Sequence, residues 1–305
     1  MVVRNKHTPN DMRPRLPQSR NTRTALYVGG AVVIAAAALI GVHFATSSSG
    51  GTVAITPPPG IYDAGPPKAG GEHAGSLQVN VSGQQLASWD ATSSFCPGND
   101  WQVPDGKVAA DSGGFATMST TGKPGSCVAL ISPGKFSSGV VEADIDFPAL
   151  PGQPGTIANW TSVWLTNQAT WPKDGEIDAV EAEPATGKNA VAYHWGTEDS
   201  PESVSTDGFA PDGNLPVQGP NLTPGWHVVD IVSTKGFFEV YYDGKKFSTG
   251  DNGVITGAPL NLIISTSVTP ATPEVEKSLG GSAPVNSDSS PAVMAVRYVK
   301  VWSYK

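Results

Sequence analysis

Three carboxylates stand close together in the segment WPKDGEIDAVEA. Side chains two residues apart point to the same face of a β-strand, so Glu176 and Asp178 share one face of a predicted strand. Glu181 is out of phase with them, but one extra residue at Ala179 or Val180, a β-bulge, returns it to that face. Carboxylates crowded on one face repel one another, so we expect at least one of their pKa values to rise.

Such a cluster has a specific use in sugar chemistry. A retaining glycosidase uses one ionised carboxylate to attack the sugar and one carboxylic acid to protonate the leaving oxygen. The spacing alone also fits a solvated acidic strand face or a calcium site, and it favours these simpler interpretations because acidic clusters are common and mostly exposed. The residues around the cluster therefore decide the interpretation.

Those surrounding residues resemble the active-site signature of glycoside hydrolase family 16. The signature reads Glu-x-Asp-x-x-Glu after a Trp-Pro and a Gly, and SVWLTNQ precedes it here with Trp164 at the family's Trp position. Further matching segments follow in the family's order: HWG, GWHVVDIVSTKGFFEVYYDGK and AVRYVKVW. The resemblance covers roughly residues 80–305 and implies a concanavalin A-like jelly roll with the sugar bound across a concave sheet face.

The resemblance also implies a role for each acidic residue. Glu176 is the expected nucleophile, Glu181 the expected general acid and base, and Asp178 the residue that hydrogen-bonds and tunes the nucleophile. The gap before Glu181 resembles the bulged branch of the family, which includes 1,3-β-glucanases and enzymes acting on galactans.

Three further side chains are the expected substrate contacts. Trp171 is the best candidate for stacking on a sugar ring, because it lies just before Glu176 in the chain. Trp164 fits a position in the core as well as one in the cleft. His194 matches a family His near the acid/base, where it would hydrogen-bond a carboxylate or the substrate.

Two positions depart from the family pattern. Asp144 stands where many members have an Arg, and Ser265 stands nearest to a family Asn. We expect these two changes to affect the sugar subsites more than the chemistry.

The elements that position these residues are short apolar runs broken by turns. In VVEADIDF, apolar and acidic residues alternate, which is typical of a strand with one buried face. Asp243-Gly244 is a strong signal for a two-residue hairpin. Because no long segment after residue 46 keeps a helical period, we predict an all-β jelly-roll sandwich over residues 77–305.

A different pattern precedes this domain. Residues 25–45 are 21 residues without a charged side chain, enough to span about 31 Å as a helix. Six basic residues lie before this run, which predicts a cytoplasmic segment 1–24 and a transmembrane helix 25–45. A Gly/Ser/Pro-rich linker at 46–76 would then hold the domain outside the membrane. A cleaved signal peptide, which would leave a secreted protein, is the alternative.

Charge and cysteine content restrict the partners. The chain has a formal net charge of −8, and an acidic domain is a poor candidate for binding nucleic acid.

The only two cysteines, Cys96 and Cys127, follow the apolar segment and are expected to form a disulfide in an oxidising compartment. We expect a monomer that needs no cofactor and has no catalytic metal, with structural calcium left open.

Function follows from the three acids and the resemblance together. The sequence predicts a membrane-anchored, outward-facing, retaining endo-glycosidase that hydrolyses a β-linked polysaccharide, with β-glucan as the first choice. The alternatives are a transglycosylase, a non-catalytic carbohydrate-binding module on the same fold, and a cell-wall protein that binds calcium. Neither non-catalytic alternative needs both Glu176 and Glu181.

Overall fold

The computed structural model describes residues 75–89, 102–182, 189–197, 199–205, 222–251, 254–268 and 292–304. Within them the chain forms one short helix, α1 (Gly83–Leu86), and sixteen strands. The strands are β1 (Ser76–Ser82), β2 (Lys107–Ala110), β3 (Ala116–Ser119), β4 (Cys127–Phe136), β5 (Gly139–Phe147), β6 (Ala149–Leu150), β7 (Gln153–Ile157), β8 (Trp160–Thr166), β9 (Glu176–Ala182), β10 (Asn189–Thr197), β11 (Ser200–Ser205), β12 (Gly225–Thr234), β13 (Phe237–Tyr242), β14 (Lys245–Asp251), β15 (Leu260–Ser267) and β16 (Val293–Ser303).

Two antiparallel sheets account for nearly all of these strands. The eight-stranded sheet has the order β14-β13-β12-β5-β16-β3-β2, and β1 pairs with β16 outside this path. The six-stranded sheet has the order β11-β10-β9-β8-β15-β4, and β6 and β7 form a separate small hairpin. The predicted all-β sandwich is confirmed.

The core lies between the two sheets and is built from alternating strands. On β5, the apolar residues Val141, Ala143, Ile145 and Phe147 are buried in the main core cluster. The acidic residues between them therefore point to the other side of the eight-stranded sheet. The alternation predicted for this strand is confirmed.

The predicted hairpin at Asp243-Gly244 joins β13 to β14. Tyr242 pairs with Lys245, so the loop has two residues, with φ angles of 50° at Asp243 and 71° at Gly244. Two consecutive positive φ angles are the requirement of a type I′ turn, whose twist matches that of the flanking strands.

The predictions for the N-terminal part of the chain lie outside the described residues. Residues 1–24, the apolar segment 25–45 and most of the linker are in this category. No helix in the part of the chain that the structure describes is long and apolar enough to cross a membrane.

The structure describes only one of the two cysteines of the predicted disulfide. Cys127 is buried at the start of β4 and is not a free thiol. Its expected partner, Cys96, lies outside the described residues, so the Cys96–Cys127 pairing stays a prediction.

Candidate active site

Strand β9 contains the predicted bulge, and the extra residue is Ala179. On the β8 side, Val163 pairs with Val180 while the next residue, Trp164, pairs with Asp178, so Ala179 has no opposite residue. The register between β9 and β10 shifts at the same place. A bulge of this kind re-aims the side chains that follow it.

The bulge places all three acidic residues of β9 on one side of the six-stranded sheet. The four apolar residues of this strand lie in the main core cluster: Ile177, Ala179, Val180 and Ala182. Glu176, Asp178 and Glu181 therefore point away from the core, to what we call the site face of the sheet. Glu176 and Asp178 are buried there, and Glu181 is half-buried.

Asn189 on β10 holds the bulged backbone in place. Its Oδ1 accepts a hydrogen bond of 2.9 Å from the backbone N–H of Glu181, and its Nδ2 donates one of 3.5 Å to the carbonyl oxygen of Ala179. The side chain thus supplies partners to backbone groups at the point where the ladder is disrupted. Sequence reasoning did not identify Asn189, because no motif surrounds it and only the strand register places it beside the bulge.

His194 lies against two of the three carboxylates. It pairs with Glu176 in the β9–β10 register, and its Nε2 lies 3.0 Å from Asp178 Oδ2 and 3.7 Å from Glu176 Oε1. The exposed fractions are 2% for His194, 4% for Asp178 and 8% for Glu176, so the cluster forms the floor of the site face.

Burial dominates the electrostatics of the cluster. It raises the pKa of Glu176 to about 8, with further increases from the Asp178 and Glu181 charges, whereas the His194 charge lowers it. Burial also raises the pKa of Asp178 to about 8. At least one pKa is thus raised, as predicted, but burial and not repulsion between the carboxylates is the first cause. Burial and mutual repulsion thus both favour the protonated forms of this interacting pair.

Trp164 lies on the site face and not in the core between the sheets. It pairs with Asp178 and packs in a small separate cluster with Ala129 and Ile263. Its indole Nε1 donates a hydrogen bond of 3.2 Å to the hydroxyl oxygen of Ser265. Trp164, for which the sequence allowed either the core or the cleft, therefore lies on the cleft side. Its hydrogen bond to Ser265 fixes the orientation of its ring.

Trp171 lies beside the same cluster, in the turn that leads into β9. Its ring centroid is 6.3 Å from that of His194, and the two ring planes are tilted by 46°. The side chain is partly exposed, which leaves ring surface for a ligand. The structure therefore brings together all six site residues predicted from the sequence: Glu176, Asp178, Glu181, Trp171, Trp164 and His194.

Gly175, the residue before Glu176, determines where strand β9 begins. Gly175 has φ +91°, and a Cβ at this position would lie 2.5 Å from the hydroxyl oxygen of Tyr193. That hydroxyl accepts a hydrogen bond of 3.1 Å from the Thr256 N–H and donates one of 3.2 Å to the Val254 carbonyl. Only glycine fits this conformation against an anchored tyrosine, which fixes where β9 begins.

The two departures from the family pattern fall in different places. Ser265 lies on the site face, in contact with Trp164. Asp144 lies on the eight-stranded sheet, on the side away from the core, where it accepts a hydrogen bond of 2.5 Å from Arg297 Nη1. The expectation that Asp144 affects the sugar subsites therefore does not hold.

Comparison with known proteins connects this geometry to a family. Residues 108–210 match the family model described as the XgeA-like catalytic GH16 domain, and this segment contains β9, its bulge and His194. No curated protein matches the chain.

Solved structures with related folds are distant in sequence. LamAcat from Zobellia galactanivorans is 18% identical with a TM-score of 0.50, over 75% of this chain and 98% of that one. The Crh5 transglycosylase in complex with NAG is 19% identical with a TM-score of 0.51, over 76% of this chain and 87% of that one. An elongating GH family 16 beta-1,3-glucosyltransferase is 16% identical with a TM-score of 0.50, over 75% of this chain and 99% of that one. At these identities the structures show a shared fold.

The family match covers the strands that carry the carboxylates, and the shared fold extends to most of the described sandwich. The bulged Glu-x-Asp-x-x-Glu strand lies within the matched segment and presents its three acids on one face. Residues 108–210, about a third of the chain, therefore match the catalytic domain of glycoside hydrolase family 16, a family that acts on O-glycosidic bonds.

Proposed function

We propose that this enzyme is a retaining endo-glycosidase that cleaves internal bonds of a β-linked polysaccharide, with a β-glucan as the substrate class. One observation carries the proposal: the bulge at Ala179 brings Glu181 to the face that already holds Glu176 and Asp178. The charge of Glu181 also contributes to the raised pKa of Glu176, which is consistent with two glutamates on one face. The fold shared with a beta-1,3-glucosyltransferase supports the choice of glucan.

In the first step, the ionised carboxylate of Glu176 attacks the anomeric carbon of the bound sugar. The glycosidic C–O bond breaks, and the carboxylic acid of Glu181 gives its proton to the leaving oxygen. The product is a glycosyl ester on Glu176. Burial raises the pKa of Asp178, and in its protonated form this residue would donate a hydrogen bond to the nucleophile and remove the repulsion between the two groups.

In the second step, the carboxylate left on Glu181 takes a proton from a water molecule. The resulting hydroxide-like oxygen attacks the anomeric carbon and releases Glu176 as a carboxylate, so the configuration at that carbon is retained over two displacements. If a sugar hydroxyl enters in place of water, the same residues form a new glycosidic bond. Transglycosylation therefore remains the second candidate, and it is supported by the fold shared with two transferases.

The aromatic residues of the site face bind the sugar in this proposal. Trp171 has exposed ring surface beside His194, and Trp164 is held in a fixed orientation by Ser265. Aromatic faces pack against the C–H surfaces of pyranose rings. Trp171 would thus stack on the sugar, and Trp164, which is only 8% exposed, would line the floor of the cleft beside Asp178.

The test follows the anomeric proton of the first product by NMR, with a β-1,3-linked glucan oligosaccharide and the full-length chain. We expect the β anomer to appear first and then to mutarotate, because two displacements retain configuration. The Glu176→Gln variant is the control for contaminating activity. A first product with the α anomer would contradict the double displacement. Longer oligosaccharides at high substrate concentration would identify the transglycosylase, and binding without any new reducing end would identify a binding module.

We also propose that residues 25–45 anchor the enzyme in a membrane with the domain outside. The supporting features are the 21 uncharged residues and the six basic residues that precede them. Protease added to intact cells should release the large domain, and the same protease should reach residues 1–24 only after lysis. Protection of the domain in intact cells would contradict the anchored orientation, and recovery of the domain in the medium without protease would favour cleavage of the segment.

A further inference from the structure

We propose that the cluster of Glu176, Asp178 and His194 is also a binding site for a divalent transition-metal ion of the Zn²⁺ type, and that the bound ion inhibits the enzyme. One donor atom from each of the three side chains lies within 4.8 Å of the other two, and all three side chains are buried. Among the described residues, this is the one group of His, Cys, Asp and Glu side chains with such an arrangement.

The distances between donors fit a small ion. Zinc–nitrogen and zinc–oxygen bonds are about 2.0–2.1 Å long, so two ligands at tetrahedral angles lie roughly 3.3–3.4 Å apart. His194 Nε2 lies 3.0 Å from Asp178 Oδ2 and 3.7 Å from Glu176 Oε1, one value on each side of this separation. The Glu176 and Asp178 oxygens lie within 4.8 Å of each other, so the three donors surround one position.

Two of these donors are also unsatisfied. Among the described residues, His194 Nε2 and Asp178 Oδ2 are buried atoms that make no hydrogen bond, although they lie 3.0 Å from each other. Buried polar atoms normally have a partner, because leaving them without one costs free energy. A cation bound by both atoms would satisfy both of them.

The donor set selects the class of metal. One imidazole nitrogen and two carboxylate oxygens are ligands that Zn²⁺ accepts, and three protein ligands with an open fourth position are typical of accessible zinc sites. Ca²⁺ takes six to eight oxygen ligands, and Mg²⁺ prefers oxygens and water in an octahedron, so neither ion suits a site with a histidine and two carboxylates.

The bound ion would block the chemistry proposed for Glu176. A carboxylate that ligates a metal cannot attack an anomeric carbon, and the ion would occupy the floor on which the sugar must sit. The inhibition rests on the proposed function and should be competitive with the oligosaccharide. The binding itself does not require any turnover, so it can be measured separately.

The experiment titrates Zn²⁺ into the metal-stripped full-length chain by calorimetry and records the absorption spectrum with Co²⁺ as a probe. His194→Gln removes a proposed ligand. The matched control is His227→Gln, since His227 also lies beside a carboxylate, with its Nδ1 2.8 Å from Asp243 Oδ2, but on the eight-stranded sheet. We expect His194→Gln to lower the Zn²⁺ affinity of one site at least about 100-fold and to remove its Co²⁺ bands, because even loss of a residue that only supports a ligand costs 10–100-fold. His227→Gln should bind Zn²⁺ as the parent does.

Each outcome bears on the proposal. Equal Zn²⁺ affinity in the parent and in a folded His194→Gln variant, or a Ca²⁺ affinity equal to that for Zn²⁺, would overturn it. If His194→Gln does not fold, as judged by circular dichroism, Asp178→Asn replaces it in the same comparison. Zinc binding through His194 in a chain without glycosidase activity would support the metal site and contradict the proposed function. Loss of activity in Zn²⁺ that a chelator reverses would support both.

Discussion

Replacement of Glu176 or Glu181 by glutamine is expected to lower kcat on a polysaccharide by roughly 10⁴-fold or more, since residues that act as one catalytic unit show losses of this size. Glutamine has nearly the same shape as glutamate but can neither form the glycosyl ester nor donate a proton to the leaving oxygen. Both variants should stay folded, because the side chains point away from the core. Initial rates of reducing-end formation measure the effect.

The two variants should differ on an activated substrate. An aryl glycoside with a good leaving group needs no acid in the first step, so Glu181→Gln should retain a burst of aryl release while Glu176→Gln does not. Glu202→Gln is a matched control, because this exposed glutamate lies on β11 in the same sheet and pairs with Trp195, away from the carboxylates. Loss of aryl release in both catalytic variants would contradict the assignment of nucleophile and acid.

The second large effect concerns stability. Burial raises the pKa values of Glu176 and Asp178 to about 8, well above those of an unfolded chain. Groups with raised pKa values favour the folded state only while they are protonated, so the free energy of unfolding should fall as pH rises towards 8. The variant Glu176→Gln/Asp178→Asn carries no charge at these positions. At pH 8 its free energy of unfolding should exceed that of the parent by several kcal/mol, and by much less at pH 5.

Urea unfolding at pH 5 and pH 8 measures this difference. Asp174→Asn is a control of opposite sign, because hydrogen bonds from Thr170 and Asn167 lower the pKa of Asp174. Its substitution should reduce stability at both pH values, since a carboxylate with a lowered pKa stabilises the fold above the range in which it titrates. An advantage of the double variant that is equal at pH 5 and pH 8 would show that lost packing or hydrogen bonds, and not ionisation, cause the change.

The arrangement on β9 could be predicted because its causes are local. Alternation along a strand decides which face Glu176 and Asp178 share, and the odd offset of Glu181 requires a bulge if all three are to act together. The same local rule predicted the buried face of β5, and the Asp243-Gly244 pair predicted the turn between β13 and β14. Each of these inferences needs only a few neighbouring residues.

Contacts across the sheets could not be predicted in this way. Ser265 meets Trp164 from 101 positions further along the chain, because β15 pairs with β8. Asn189 reaches the bulge only through the register of β10, and Asp144 meets Arg297 from 153 positions away on the other side of the sandwich. Strand order and register determine such contacts, and neither can be inferred from the local alternation of apolar and polar residues.

Because of the bulge at Ala179, the number of residues between Asp178 and Glu181 does not by itself decide which face Glu181 occupies. For the proposed chemistry the three carboxylates of β9 must share a face, which is a requirement of parity, and the two glutamates must also stay close enough to act on one bond. A chain without Ala179 would carry its last glutamate two places after the aspartate, on the same face, with a regular strand and no bulge. A chain with a second inserted residue would return its last glutamate to that face by alternation, but further along the strand, where it could not reach the bond that Glu176 attacks. A change of parity in this strand is therefore compatible with the proposed chemistry only when a bulge offsets it and the two glutamates stay close together.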